Sequence, residues 1–244
     1  MTVADSSTVG FFLIDGKDCR GVTTEIRDPG LEWHTKEMLF LGQSLKSKPL
    51  TGVSSCDIEQ TGAFDDAAGT VHLLLKTRAD DRVLSWAPLG NTIGKEFRGA
   101  LCDQVAYNPS ELELDGFVMA GAKYSCTKHD TGLILADHVA RGAAGDTKAT
   151  YADFGAAATL GGVAYLELTD LTLGGYTNIV IKVWHSPDHS SWAELASFTA
   201  KTAVGAQRLA VATNPIERYR AVSWAYTGSG AGPSSTFAVG FANL

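Results

Sequence analysis

His185-Ser186-Pro187-Asp188-His189 sets two imidazoles and a carboxylate within five residues, a donor set that can hold zinc or a similar ion if the backbone converges the side chains. The same run is rich in turn formers. Pro187 presets φ, Asp188 can bond its own following backbone, and Ser190-Ser191 extends the loop. That reading predicts a hairpin tip with solvated histidines, and no metal ligand is assigned. Cys19, Cys56, Cys102 and Cys126 lie far apart, with no C-x-x-C pair and no histidine at finger spacing, which argues against a zinc site. Cys56 and Cys102 fall in strand-like runs, where a thiol behaves as a small hydrophobe. With no secretory leader visible, all four are expected as reduced thiols. No G-x-S-x-G, phosphate loop or H-E-x-x-H occurs, so no catalytic or cofactor-binding residue is assigned and no cofactor is expected. Trp184, Trp192, Trp224 and Tyr226 could offer ring faces to a sugar, although rings in a small domain are mostly core.

The elements that must position these residues read as strands joined by turns. Phe11 to Ile14 and Gly21 to Ile26 flank Asp15-Gly16, a strong hairpin signal because glycine accepts positive φ. The excursion from Pro29 to Thr51 carries Trp33, Met38, Leu39, Phe40 and Leu41 and then the basic tip with Lys46 and Lys48. Apolar residues on such a loop point to contact with a partner, a flap folded back on its own domain being the alternative. Val53 to Gln60 alternates, with Cys56 and Ile58 on one face and Asp57 and Glu59 on the other. Asp65 to Lys76 predicts a helix, because Asp65 can cap the free N–H groups. Its stripe includes Val71, Leu74 and Leu75, which suits packing against a sheet or a neighbouring subunit. Further strands are expected at Arg82 to Leu89, Lys95 to Tyr107 and Glu113 to Tyr124. In the second of these, Phe97, Leu101, Val105 and Tyr107 share a face opposite Glu96, Arg98 and Gln104.

From Arg141 to Thr150 apolar periodicity disappears and the residues read as a linker. The expected division is therefore 1–145 and 146–244. Short runs at 164–168, 178–185, 193–199, 208–212, 218–227 and 236–241 follow, with turn residues between them, as in a β-sandwich. Within 244 residues, 45% are apolar and the formal charge is −7, concentrated in the first half. No basic patch suited to gripping nucleic acid emerges, and no membrane span is long enough. The fold class expected is mainly β, two units with one flanking helix, made and assembled in a cytoplasm.

Asp5-Ser6-Ser7, Phe11-Phe12-Leu13-Ile14-Asp15-Gly16, Phe64-Asp65-Asp66, Leu89-Gly90-Asn91-Thr92-Ile93-Gly94-Lys95 and Tyr107-Asn108-Pro109 resemble the tail tube (major tail) proteins of siphophages over most of residues 5 to 135. Gly161 to Leu166, Val183 to Ser186, Ser191-Trp192, Arg218-Tyr219 and Thr227 to Gly230 resemble the sandwich domain often appended to them. The resemblance implies a tail-tube-type β-barrel or sandwich with a flanking helix. It implies a virion tail protein without enzymatic activity, whose six-fold rings stack into a tube. Tape measure, tail terminator and distal tail proteins are the implied partners, and double-stranded DNA crosses the lumen without specific binding. On that reading Asp57 and Glu59 face the lumen, Trp33, Met38, Leu39, Phe40, Leu41, Lys46 and Lys48 belong to a ring-stacking loop, and Val71, Leu74 and Leu75 lie on an interface helix. A carbohydrate- or cell-wall-binding protein with two β units is the competing reading.

Overall fold

Asp15 and Gly16 carry φ of 49° and 78°, the paired positive values of a two-residue hairpin loop, and they join β1 (Phe12–Ile14) to β2 (Lys17–Asp18). The computed structural model describes residues 9–28, 32–35, 50–64, 71–114, 117–212 and 215–244. Glycine is required at the turn, since a Cβ on Gly16 would come within 2.6 Å of Gly205 Cα and Leu168 O. The expected hairpin partner, Gly21 to Ile26, is displaced. The tight loop lets Lys17–Asp18 return at once, and the next strand, β3 (Thr23–Arg27), pairs elsewhere.

After β4 (Glu32–Thr35) and β5 (Leu50–Ser55), which pair with each other, comes β6 (Asp57–Ala63), which takes β3 as its neighbour. The helix α1 is described over Val71–Leu75, and residues 65–70 of the expected span lie outside the described part. Then follow β7 (Arg82–Trp86), β8 (Glu96–Leu114) and β9 (Phe117–Arg141). Strand β9 continues far past Tyr124, where the sequence expected it to end, because the polar run Thr127 to Thr131 is paired along β8.

The second half holds β10 (Gly145–Asp146), β11 (Ala152–Asp153), β12 (Gly162–Thr172), β13 (Asn178–Ser186), β14 (Ala193–Ser197), β15 (Gly205–Val211), β16 (Tyr219–Thr227) and β17 (Ser234–Asn243). Among the described residues one sheet has ten strands, with the path β15-β12-β17-β9-β8-β7-β1-β2 and a branch from β9 through β6 to β3. A second sheet runs β10-β16-β13-β14, with β11 also on β16. The ladder β17–β9 pairs Phe237 with Val139 and Phe241 with Leu133, so sheet hydrogen bonds cross residue 145. The expected linker contains β10 and the buried Thr147, whose hydroxyl donates to Leu135 O at 3.1 Å.

Three cores follow from this arrangement. Leu166, Leu168, Phe237, Val239 and Phe241 of the large sheet meet Ile179, Ile181, Val183 and Val222 of the small one, a sandwich in which full burial of each large side chain stabilises by about 1.5–3 kcal/mol. Phe12, Ile14, Ile58, Leu75, Leu84, Trp86 and Tyr124 form a second core under α1. The large sheet also curls, so that Leu13, Val83 and Phe97 meet Val163, Tyr165 and Ala238.

Bulges decide the faces of β8. Register shifts at Leu101/Cys102 and Gln104/Ala106 leave Val105 50% exposed and Gln104 only 2% exposed, contrary to the simple alternation expected. Gln104 is not on a wet face: it accepts from Arg82 Nε at 2.7 Å and donates to Leu75 O. The cysteine expectation also changes. Cys102 and Cys126 oppose each other on β8 and β9 and form a disulfide, while Cys19 and Cys56 remain buried thiols. Their spacing in sequence carried no sign of a register that only the long hairpin creates.

Where the curled sheet returns on itself, the fully buried Glu167 of β12 accepts the Gly16 N–H at 2.6 Å. Desolvation pushes its carboxyl well above the usual range; the Asp15 charge adds to this, and the Gly16 bond and Lys201 oppose it. The group folds in neutral, so its contribution is fully present below the unfolded value of about 4.3 and is lost as pH rises through the folded value. Glu167→Gln is therefore expected to flatten the decline of melting temperature between acidic and mildly alkaline pH. An unchanged pH slope in thermal melts would count against this.

Candidate assembly surface

Residues directly opposed in a ladder share a face. Asp57 faces Ser125, Glu59 faces Lys123 and Thr61 faces Gly121 across β6–β9. Glu25 opposes Thr61 and Arg27 opposes Glu59 across β3–β6, and Asp103 opposes Ser125 across β8–β9. The strands β3, β6, β9 and the distal part of β8 therefore present Glu25, Arg27, Asp57, Glu59, Lys123 and Asp103 on one side. The other side carries Ile26, Ile58, Gln60, Ala122 and Tyr124 into the core under α1. Alternation along β6 is strict, its even-numbered residues buried and its odd-numbered ones partly exposed, so the wet side of this strand was legible in sequence.

Electrostatically the wet face is acidic with local compensation. Lys123 Nζ lies 3.5 Å from both Asp57 and Glu59, and Arg27 Nε lies 2.8 Å from Glu25. Asp103 turns aside to accept the Asp81 N–H at 3.1 Å. Carboxylates outnumber the two cations, leaving a face that repels polyphosphate instead of condensing on it.

Among the described residues the margins of this patch are open. Among the described residues β3 pairs only with β6, and β8 beyond Gln104 pairs only with β9. Two different edges, one at each side of the same sheet, present unmatched backbone donors and acceptors. Such edges suit a head-to-tail contact between copies, which closes into a ring when the rotation permits.

Val71, Leu74 and Leu75 of the expected interface helix lie against the chain's own core, Leu75 only 3% exposed and the other two partly buried. Beneath them Arg82, 3% exposed, donates to Asp15 Oδ2 (2.7 Å), Gln104 Oε1 (2.7 Å), Leu74 O (2.8 Å) and Thr77 O (2.7 Å). This hub joins α1, the first hairpin and β8, and no local pattern in the sequence marked it. Of the expected stacking loop, Trp33 falls in β4, where its backbone pairs with Ser54. Met38, Leu39, Phe40, Leu41, Lys46 and Lys48 lie outside the described residues.

A second cluster was invisible to spacing rules. Asp28, just past β3, Cys56, just before β6, and His129 in β9 bring one ligand atom each to within 4.8 Å of one another. His129 Nε2 is 3.1 Å from Asp28 Oδ1, Cys56 Sγ is 4.0 Å from the same oxygen, and Arg98 Nη1 holds Asp28 Oδ2 at 2.6 Å. Beside them opens a cavity of about 230 Å³ lined by Phe12, Arg20, Ile26, Asp28, Trp86, Glu96 and Arg98, among others.

No family model matches this chain, and no curated protein matches it. Solved structures to which the chain is similar include SPP1 Dit, described as a paradigm of the hub adsorption apparatus in phages infecting Gram-positive hosts. It is 8% identical with a TM-score of 0.36, over 95% of this chain and 98% of that one. A chain of the native gene transfer agent virion is 12% identical with a TM-score of 0.34, over 50% of this chain and 94% of its own. A chain of the phage p2 baseplate in its activated, strontium-containing conformation is 10% identical with a TM-score of 0.33, over 96% and 98%.

The histidine pair does not converge: His189 is exposed as expected, and His185 is only partly solvated. Its ring Nδ1 is half-buried and accepts the Glu217 N–H at 3.0 Å, and burial lowers its pKa. His189 adopts φ of 51° and stacks on Tyr151 at 5.1 Å, with Tyr219 edge-on to both rings. Asp188 accepts the N–H groups of Ser190 and Ser191 at 3.0 and 2.8 Å, and these bonds hold its carboxyl far below the usual range. This is the expected turn chemistry. Strand β13 is internal to its sheet, and Trp184 donates to Ser223 Oγ at 2.7 Å under the Lys148 ammonium. Trp224 packs edge-on to Phe237.

Proposed function

We propose that this chain is a non-enzymatic structural subunit of a bacteriophage tail that works by polymerising, and that its rings, six-fold by the family resemblance, stack into the tube through which the genome leaves the virion. One observation carries the reading: a four-stranded antiparallel patch that buries one face, keeps an acidic face wet and leaves two unlike edges unpaired among the described residues. In a solitary chain those edges are a liability, and ring closure removes them. The wet face then lines the bore. A wall whose two cations are already paired with its carboxylates offers phosphates few counterion-releasing contacts, so DNA slides without being retained.

On this reading the first 145 residues form the tube and residues 146–244 project outwards, as a functional division along a continuous sheet. The partners are other copies of the chain and, in a complete tail, the tape measure, tail terminator and distal tail proteins. Assembly takes place in the host cytoplasm, and Leu39, Phe40 and Leu41 are the proposed contacts between rings.

Negative-stain microscopy of the concentrated full-length protein is expected to show hollow rings or rods, and a persistently solitary particle would overturn the proposal. The double variant Asp57→Lys with Glu59→Lys is expected to assemble normally yet slow DNA ejection by roughly tenfold or more, since several added cations per ring become phosphate contacts. Unaltered ejection kinetics would remove these residues from the bore.

A second reading, recognition of host glycans, is favoured by the rings of Tyr151, His189, Trp192 and Tyr219, which gather against one another beside the start of β16. Retention of the full chain on cell-wall glycan, with no assembly at any concentration, would favour it over the tube.

A further inference from the structure

Asp28, Cys56 and His129 come from three stretches separated by 27 and 72 intervening residues, and each is nearly shut off from solvent. The side chains of His129 and Asp28 are 7% and 6% exposed, and Cys56 is 1% exposed. Oxygen, sulfur and imidazole nitrogen together make a borderline-soft donor set of the kind that zinc prefers. Metal–ligand lengths of about 2.0–2.3 Å in a tetrahedron place donors roughly 3.3–3.6 Å apart. The 3.1 Å and 4.0 Å separations from Asp28 Oδ1 bracket that range, and the whole set fits within 4.8 Å. Closing the set from 4.8 Å to that range requires side-chain adjustments on the order of 1 Å.

The surroundings are arranged as those of a bound cation. Arg98 occupies Asp28 Oδ2 and leaves Oδ1 directed at His129 and Cys56, and Glu96 holds the Arg98 Nε at 2.8 Å. A divalent ion would sit among the charges of Asp28, Arg98, Glu96 and a Cys56 thiolate and so would not be an isolated buried charge. The Trp86 ring packs on His129 with centroids 5.9 Å apart and limits its swing. Asp28 also borders the 230 Å³ cavity, which gives a fourth ligand, water or a small anion, a way in.

We propose that Asp28, Cys56 and His129 form a zinc site that clips the edge strand β3 to β6 and β9, with Arg98 as a positioning residue. The bound ion ties the end of β3 and the start of β6 to the middle of β9, at the margin through which copies are proposed to meet, so it stabilises the folded edge. The site is independent of whether that margin closes a ring.

The test uses full-length protein stripped with chelator and then titrated with Co²⁺, a spectroscopic stand-in for Zn²⁺. One equivalent is expected to produce the intense thiolate-to-cobalt charge-transfer band, reversed by Zn²⁺, and Zn²⁺ is expected to raise the melting temperature by mass action. Cys56→Ser should abolish the band, Cys19→Ser should retain it, and His129→Asn, which can still bond Asp28, should weaken binding at least a hundredfold. Arg98→Gln should weaken Zn²⁺ binding by about 10–100-fold, as loss of an outer-shell partner does. Absence of the band in the wild-type protein at saturating Co²⁺ would overturn the proposal whatever the variants do. So would binding indifferent to both Cys56→Ser and His129→Asn.

Discussion

Replacing Arg82 with leucine is expected to lower the stability of the folded chain by about 3–5 kcal/mol, the cost of removing one partner from a buried ionic network. The guanidinium donates to a carboxylate, an amide oxygen and two carbonyls from four places in the chain. Leucine fills much of the volume and satisfies none of them. Asp15, which also accepts the Val83 N–H at 2.9 Å, would keep its charge without its countercharge. The carbonyls of Leu74 and Thr77 would face an apolar side chain at the end of α1. For a chain of this length each kcal/mol moves the melting temperature by about 2–4 °C, so a fall on the order of 10 °C is expected in dilute solution. Arg82→Lys is expected to recover only part of it, because one ammonium cannot span acceptors that a planar fork reaches together. A drop of less than about 2 °C for the leucine variant would show that the hub relaxes without cost.

Proline in β3 is expected to separate folding from assembly. The N–H groups of adjacent residues in a strand point to opposite sides, so of Glu25 and Ile26 one donates towards β6 and the other towards the open margin. Both sit in the regular part of the ladder, after the shift between Thr23 and Glu25. Glu25→Pro and Ile26→Pro should therefore have unlike effects. The proline on the β6 side loses a ladder bond and orphans a carbonyl, costing about 1–3 kcal/mol in the single chain. Its counterpart removes a donor that only a neighbouring copy would use, costing the single chain no ladder bond beyond the Ile26 side-chain packing where Ile26 is that residue, while rings fail to form. Thermal melts at low concentration and sedimentation at high concentration read the two effects separately. Normal ring formation by both variants would mean that this edge takes no part in assembly.

Much of the site was readable in the chain before folding. Asp57 and Glu59 were placed on the wet side of their strand by period-two alternation, which depends only on the pleat. The turn at Asp15-Gly16 was signalled by a dipeptide that accepts two positive φ values, and the turn at Asp188 by its short carboxylate side chain. The mainly β class followed from short alternating runs between turn residues. Local chemistry determines these features, and neighbours three or four residues away are enough to read them.

The rest required partners distant in sequence. The disulfide between Cys102 and Cys126 depends on the register of a long hairpin whose bulges no local pattern announced. Gln104 was expected to face water and is buried because a register shift and the Arg82 guanidinium turn it inward. The stretch 141–150 reads as a linker from composition, yet Gly145 and Asp146 pair with Trp224 and Ser223 from nearly eighty residues on. Asp28, Cys56 and His129 meet only because β3, β6 and β9 lie side by side. The sequence by itself determined which residues are pleated, which can turn and which faces are wet. The tertiary structure alone decided which buried polar groups meet and which strand edges stay open, because pairing between distant strands is selected by the packing of the whole core and not by any short run within it.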